Sequence, residues 1–191
     1  MSNILKNSLK LFLWLLFAAF AGIMLLISFG AIFVNSEQWV MAMFTQVFGL
    51  LIVITMVWQS LYNLGFRESN MVRTGHMKEN IYKGFIIGAV AQIPFLLFLI
   101  LSVIFNIPFG IYRFINGAYF WFITVIAGSE VAANSANNIV THMQDLGVIR
   151  NILLALPLLI VPAVAGGVYI LGYKGIDVKE KLFYKKRKEN K

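Results

Sequence analysis

Hydrophobic positions run through this chain in long unbroken blocks. Leu11 to Val34, Trp39 to Leu64, Gly84 to Phe105 and Val148 to Gly172 are each apolar throughout most of their length. Each exceeds the roughly 20 residues that a helix rising about 1.5 Å per residue needs to cover a hydrocarbon layer of about 30 Å. Alternating segments of about ten residues, which mark a membrane barrel, are absent. The pattern predicts an all-α polytopic membrane protein with four transmembrane helices in a single membrane domain.

A fifth apolar block, Ile107 to Gly128, breaks the regularity because Arg113 and Asn116 sit inside it. An arginine at the centre of a membrane helix costs about 2.5–3.5 kcal/mol on insertion scales. The stretch that follows, Ser129 to Gly147, is more polar still. On a helical wheel Glu130, Asn134, Asn137, Asn138, Thr141, Gln144 and Asp145 fall within an arc of about 120°, with Ala132, Ala136, Ile139, Met143 and Leu146 opposite. The expectation is an outward subdomain over residues 106–147. In it, an apolar segment is re-entrant or lies in the interface, and an amphipathic helix covers it. The alternative is six spans, in which both segments cross as a pair.

Charge placement orients the spans. Of sixteen basic residues, Lys6 and Lys10 precede the first span, four lie in the loop 65–83 and eight in the tail 173–191; Arg113 and Arg150 stand alone. With four spans and a cytoplasmic N-terminus, fourteen basic residues lie inside and two outside, as the positive-inside rule prefers. Five spans would place nine outside and are excluded; six would restore the same division as four. The reading places the chain in the cell membrane, multi-pass, with both termini cytoplasmic. Trp14, Trp58 and Tyr62 then fall toward the inner interface and Trp39 and Tyr112 toward the outer one, where amphipathic rings anchor helices.

Composition agrees with this class: 60% of residues are apolar and 13% charged, and the mean hydropathy is +0.80. Lys6 and Lys10 before an Ala19-Phe20-Ala21 site mimic a secretion signal, but the apolar run continues to Val34 and reads as an uncleaved span. The chain has no cysteine, which removes thiolate catalysis, disulfides and cysteine-based metal sites. The tail carries eight basic and three acidic residues. Such a juxtamembrane cluster is drawn to anionic inner-leaflet lipid and lacks a nucleic-acid-binding fold.

Packing devices are better defined than chemistry. Gly84 and Gly88 form a GxxxG pattern, and Ala18 with Gly22 a small-xxx-small pair, both of which allow close approach of helix backbones. Thr45, Gly49, Gln59, Ser60 and Asn63 mark one half of the second span as facing protein or a polar cavity. Pro94, Pro157 and Pro162 are expected kinks, because each lacks the N–H that its helix would use. No peptidase, nucleotide or metal motif occurs; His142 and Asp145, at i and i+3, are the single candidate acid–base pair. No catalytic residue, metal or cofactor is assigned.

The leading functional expectation is a non-enzymatic accessory or interaction component of the cytoplasmic membrane, working with a membrane-protein partner or as a homo-oligomer. The alternative is a transporter, or substrate-binding transporter subunit, holding a small polar solute or cation near Glu130, Asn134, Asn138 and His142. A membrane-embedded enzyme stands third.

Overall fold

A computed structural model describes residues 2–32, 38–128 and 139–176. Helices account for nearly all of them, and none of the described residues belongs to a β-strand. The long elements are α1 (Ser2–Ile32), α2 (Gln38–Arg73) and α3 (Lys83–Ile104). Shorter ones follow: α4 (Phe109–Ile115), α5 (Phe120–Ala127), α6 (Gly147–Leu153) and α7 (Ile160–Tyr173). Four stretches are long and apolar enough to cross a membrane: Asn3–Phe29, Met43–Arg73, Lys83–Ile104 and Gln144–Tyr173. Helix suits such sequences because it pairs every interior backbone group within the segment, with no help from water.

The four stretches form a ring in the order α1, α2, α7, α3, so that α7 lies between α2 and α3 while α1 closes the other side. Buried residues recur at helical spacing toward the centre. Leu11, Leu15 and Ala18 of α1 join Val53, Val57 and Leu61 of α2 and Ile87, Ala91 and Phe95 of α3 in one core. Glycine sets the closest approaches: a Cβ on Gly84 would lie 2.7 Å from the Ala165 carbonyl oxygen, and one on Gly88 would lie 2.7 Å from the Ala165 Cβ. The GxxxG pair is therefore used inside the chain, against α7.

Helix ends follow backbone chemistry more than charge. Beyond α3, Asn106 takes φ 49°, and the Ile107 N–H returns to the Ser102 carbonyl at 2.9 Å. Beyond α2, Gly75 does the same at φ 76°, with the His76 N–H on Met71. Both closures satisfy carbonyls that a helix end otherwise leaves open. The position of Gly75 corrects the expected loop 65–83, since α2 continues through Arg67, Glu68 and Ser69 to Arg73. Charged residues suggested a loop there, but Glu68 and Ser69 face inward and are buried.

The last span is broken. After α6 a 3₁₀ turn over Leu156–Leu159 precedes α7. Pro157 cannot donate to Leu153, and the chain tightens, the Leu158 N–H turning to Ala155 at 3.1 Å. The Leu154 carbonyl thereby loses its usual donor and accepts the Tyr112 hydroxyl at 3.3 Å. Pro162 stands in the first turn of α7, where a missing N–H costs little. Pro94 lies inside α3, which continues through it to Ile104.

Between the third and last spans, α4 and α5 are joined by a 3₁₀ turn over Gly117–Tyr119 and bend by 100°. Of the amphipathic helix expected over residues 129–147, residues 129–138 lie outside the described residues, and Ile139 to Met143 are not helical. That segment runs beside the start of α4, with the Phe109 N–H on Thr141 at 2.9 Å and the Met143 N–H on Ile107 at 3.1 Å. Pairing with the Pro108 region supplies the backbone partners that a helix would otherwise have provided, and this outweighs the periodicity of the side chains.

Candidate functional site

The elbow between α4 and α5 is held by α1 and α2 through backbone contact. A Cβ on Gly22 would stand 2.6 Å from the Ala118 nitrogen, one on Gly49 would stand 2.7 Å from the Ala118 oxygen, and one on Gly117 would meet Ile23 at 2.6 Å. Gly22, expected to pack against another helix, instead receives this turn. The contacts lie about 15 Å along α1 and α2 from their adjoining ends at Ile32 and Gln38, at about 1.5 Å per residue.

One side chain satisfies the turn's exposed backbone. Gln46 of α2 donates from Nε2 to the Ala118 carbonyl at 3.3 Å and accepts the Phe122 N–H at its Oε1 at 3.1 Å. The Phe122 N–H belongs to the first turn of α5, where helix donors lack an internal acceptor. Sequence reading missed Gln46. A polar residue in an apolar run was the available signal, but nothing identified the distant backbone it serves. Asn116 closes α4 by donating to the Tyr112 carbonyl at 3.0 Å.

Beneath the elbow is a cavity of about 10 Å³, bordered by Gln92 of α3, Asn116 and Tyr119. It has room for about one water molecule. Gln92 Oε1 and the Tyr119 hydroxyl are buried without a hydrogen-bond partner among the described residues. Arg113, whose presence argued against a crossing, folds its guanidinium over the Phe120 ring at 4.2 Å and reaches Thr124 Oγ1 at 3.4 Å. Both contacts lessen the cost of holding a cation among aromatic residues.

Of the expected ligand residues, Glu130, Asn134 and Asn138 lie outside the described residues. His142 is placed at a junction tying the end of α3 to the start of the last span. Its Nδ1 stands 2.8 Å from the Asn106 carbonyl, while Asp145 accepts from the His142 backbone N–H at 2.8 Å. The carboxylate thus engages the backbone of His142, not its imidazole, and the two do not form the acid–base pair anticipated from their spacing. Asn106 Oδ1 accepts the Gln144 N–H at 3.1 Å, and Gln144 Nε2 donates to Val103 at 3.0 Å. These bonds fasten the junction without exposing an obvious reactive group.

At the opposite end of the bundle, Glu68 accepts the Lys83 ammonium at 2.5 Å and the Tyr169 hydroxyl at 2.6 Å. All three residues are buried, and they join α2, α3 and α7. Sequence spacing could not reveal the cluster, because Glu68 and Tyr169 are 101 residues apart. Among the described residues, no group of three or more histidines and carboxylates is placed to hold a metal ion. Comparison with protein-family models, with curated proteins and with solved structures finds no match.

Proposed function

We propose that this chain is a non-enzymatic, multi-pass accessory or interaction component of the cytoplasmic membrane, with both termini cytoplasmic and residues 106–147 on the outer side. The α4–α5 pair enters the outer half of the bilayer and returns to the same face. Its dimensions support this path: α4 and α5 have seven and eight residues, about 10–12 Å each, and bend sharply between them. Gly128, at the end of α5, lies beside the Arg150 guanidinium near the start of the last span. The non-helical Ile139 to Met143 segment favours this arrangement over six spans.

The observation carrying the functional reading is the elbow seated on Gly22 and Gly49, with a space of one water beneath it. Close backbone packing suits a fixed framework that presents its outer surface and lipid-facing helices to a partner or a second copy. The basic tail supplies contact with anionic inner-leaflet lipid. A transporter for a small polar solute or cation is the second reading, favoured by the unpartnered Gln92 and Tyr119 groups around the cavity.

Reconstituted protein separates these readings. The accessory role predicts no saturable stabilisation by monovalent or divalent cations, and Gln92→Leu leaves thermal stability unchanged or raised by roughly 1 kcal/mol as a buried unpaired oxygen is removed. Saturable cation stabilisation abolished by Gln92→Leu or Glu130→Gln would overturn it in favour of transport.

A further inference from the structure

We infer that a groove between α1 and α2 binds the phosphate of an anionic glycerophospholipid. It encloses about 260 Å³ and is bordered by Asn7 and Lys10 of α1 and by Gln59, Ser60, Asn63 and Arg67 of α2. The residues come from two matching polar faces. Asn3, Lys6, Asn7 and Lys10 recur at three- and four-residue spacing on α1, while Gln59, Ser60, Asn63 and Arg67 share one face of α2. In the antiparallel pair these faces meet at the same end of the bundle.

The groove's chemistry is that of an oxyanion receptor. Arg67 provides a planar fork and Lys10 a compact charge, both suited to phosphate oxygens. Three amides and a hydroxyl add neutral donors, and the same groups complement the glycerol hydroxyls and ester carbonyls of a lipid head. Among the described residues no hydrogen bond or ion pair engages the side chains of Lys10, Gln59, Asn63 or Arg67. The nearest acid in sequence, Glu68, turns into the core and is already paired with Lys83. Among the described residues the groove therefore keeps two cations without an internal counterion.

Depth selects lipid over a soluble anion. Trp14 lies about 6 Å along α1 from Lys10, and Trp58 adjoins Gln59 and stacks on Tyr62 at 4.9 Å between ring centres. Such aromatic residues settle at the boundary between head groups and hydrocarbon. A lipid whose acyl chains cover the apolar surface below can place its phosphate directly in the groove. The site rests on the proposed crossing of a bilayer by α1 and α2, but not on the orientation of the termini or on the accessory role. Inverting the topology would move it to the other leaflet.

The test uses the full chain in detergent micelles, with phosphatidylglycerol, phosphatidylcholine and inorganic phosphate as separate probes, read by native mass spectrometry and thermal shift. One phosphatidylglycerol is expected to be retained in preference to phosphatidylcholine. Lys10→Gln or Arg67→Gln should each weaken retention about fivefold and the double variant about thirtyfold, whereas Lys78→Gln, in the loop, should have little effect. Size-exclusion profiles and helical circular dichroism of each variant establish folding, and the paired Lys10→Arg, Arg67→Lys variant should restore retention. Undiminished retention by a folded double variant would overturn the site. So would an equal loss in Lys78→Gln, which would indicate diffuse charge. Stabilisation by inorganic phosphate that matches phosphatidylglycerol and competes with it would assign the groove to a free anion and overturn the lipid.

Discussion

Glu68 illustrates how far a single side chain can depart from what its neighbours suggest. It stands among Arg67, Ser69 and Asn70, a sequence that reads as a solvated loop, yet it joins Lys83 and Tyr169 inside the bundle. Removing one partner of a buried ion pair leaves an uncompensated charge, a loss of about 3–5 kcal/mol. Lys83→Met should therefore lower the stability of the protein in mild detergent by that amount, measured by denaturant or thermal unfolding. Adding Glu68→Gln should recover much of it, because the stranded carboxylate is gone; failure to recover would place the effect in packing. Gln46 makes a similar demand on a smaller scale. Gln46→Leu strands the Ala118 carbonyl and the Phe122 N–H, and a loss of about 1–3 kcal/mol is expected in the same assay. Neither partnership was legible in the sequence, since each joins residues distant along the chain through contacts that local periodicity does not encode.

The elements divide into those that hydropathy locates well and those that only packing explains. Long apolar runs placed four stretches able to cross a membrane, because the cost of an unpaired backbone in lipid leaves helix as the one solution for them. Their limits were less legible: α2 outlasts its apolar run by nine residues, from Leu64 to Arg73, because Glu68 has buried partners there and Ser69 is buried beside it. Ile139 to Met143 failed for the opposite reason. Its side chains suit a helix, but its backbone pairs with the region around Pro108. Gly22 was visible as a small residue, whereas its role as a seat for Gly117 and Ala118 was not. That role predicts a specific response. With Asn116→Cys as a reporter in a chain otherwise free of cysteine, the thiol should react slowly, Asn116 being 2% exposed. Adding Gly22→Val or Gly49→Val should displace the elbow and speed the reaction about tenfold or more, through a strain of about 1–3 kcal/mol. An unchanged rate would show that the elbow does not depend on these seats.

For the whole molecule, the number of crossings is constrained both by the placement of charge and by the geometry of the α4–α5 pair. The distribution of arginine and lysine disfavours five crossings but treats four and six alike. The 100° bend and short arms of the α4–α5 pair then favour entry and return on one face. Orientation belongs to the charges, because the helices alone are the same from either side. A cysteine at position 186 should accordingly remain unlabelled by an impermeant reagent until the membrane is opened; labelling in intact cells would invert the termini. The decisive measurement places single cysteines at Phe105, Ser129 and Val148 and treats intact cells with the same reagent. Entry and return of the intervening segment on the outer face predicts labelling at all three positions without opening the membrane. Labelling at Phe105 and Val148 with protection of Ser129 until the membrane is opened would mean that the segment crosses, and would contradict the re-entrant elbow.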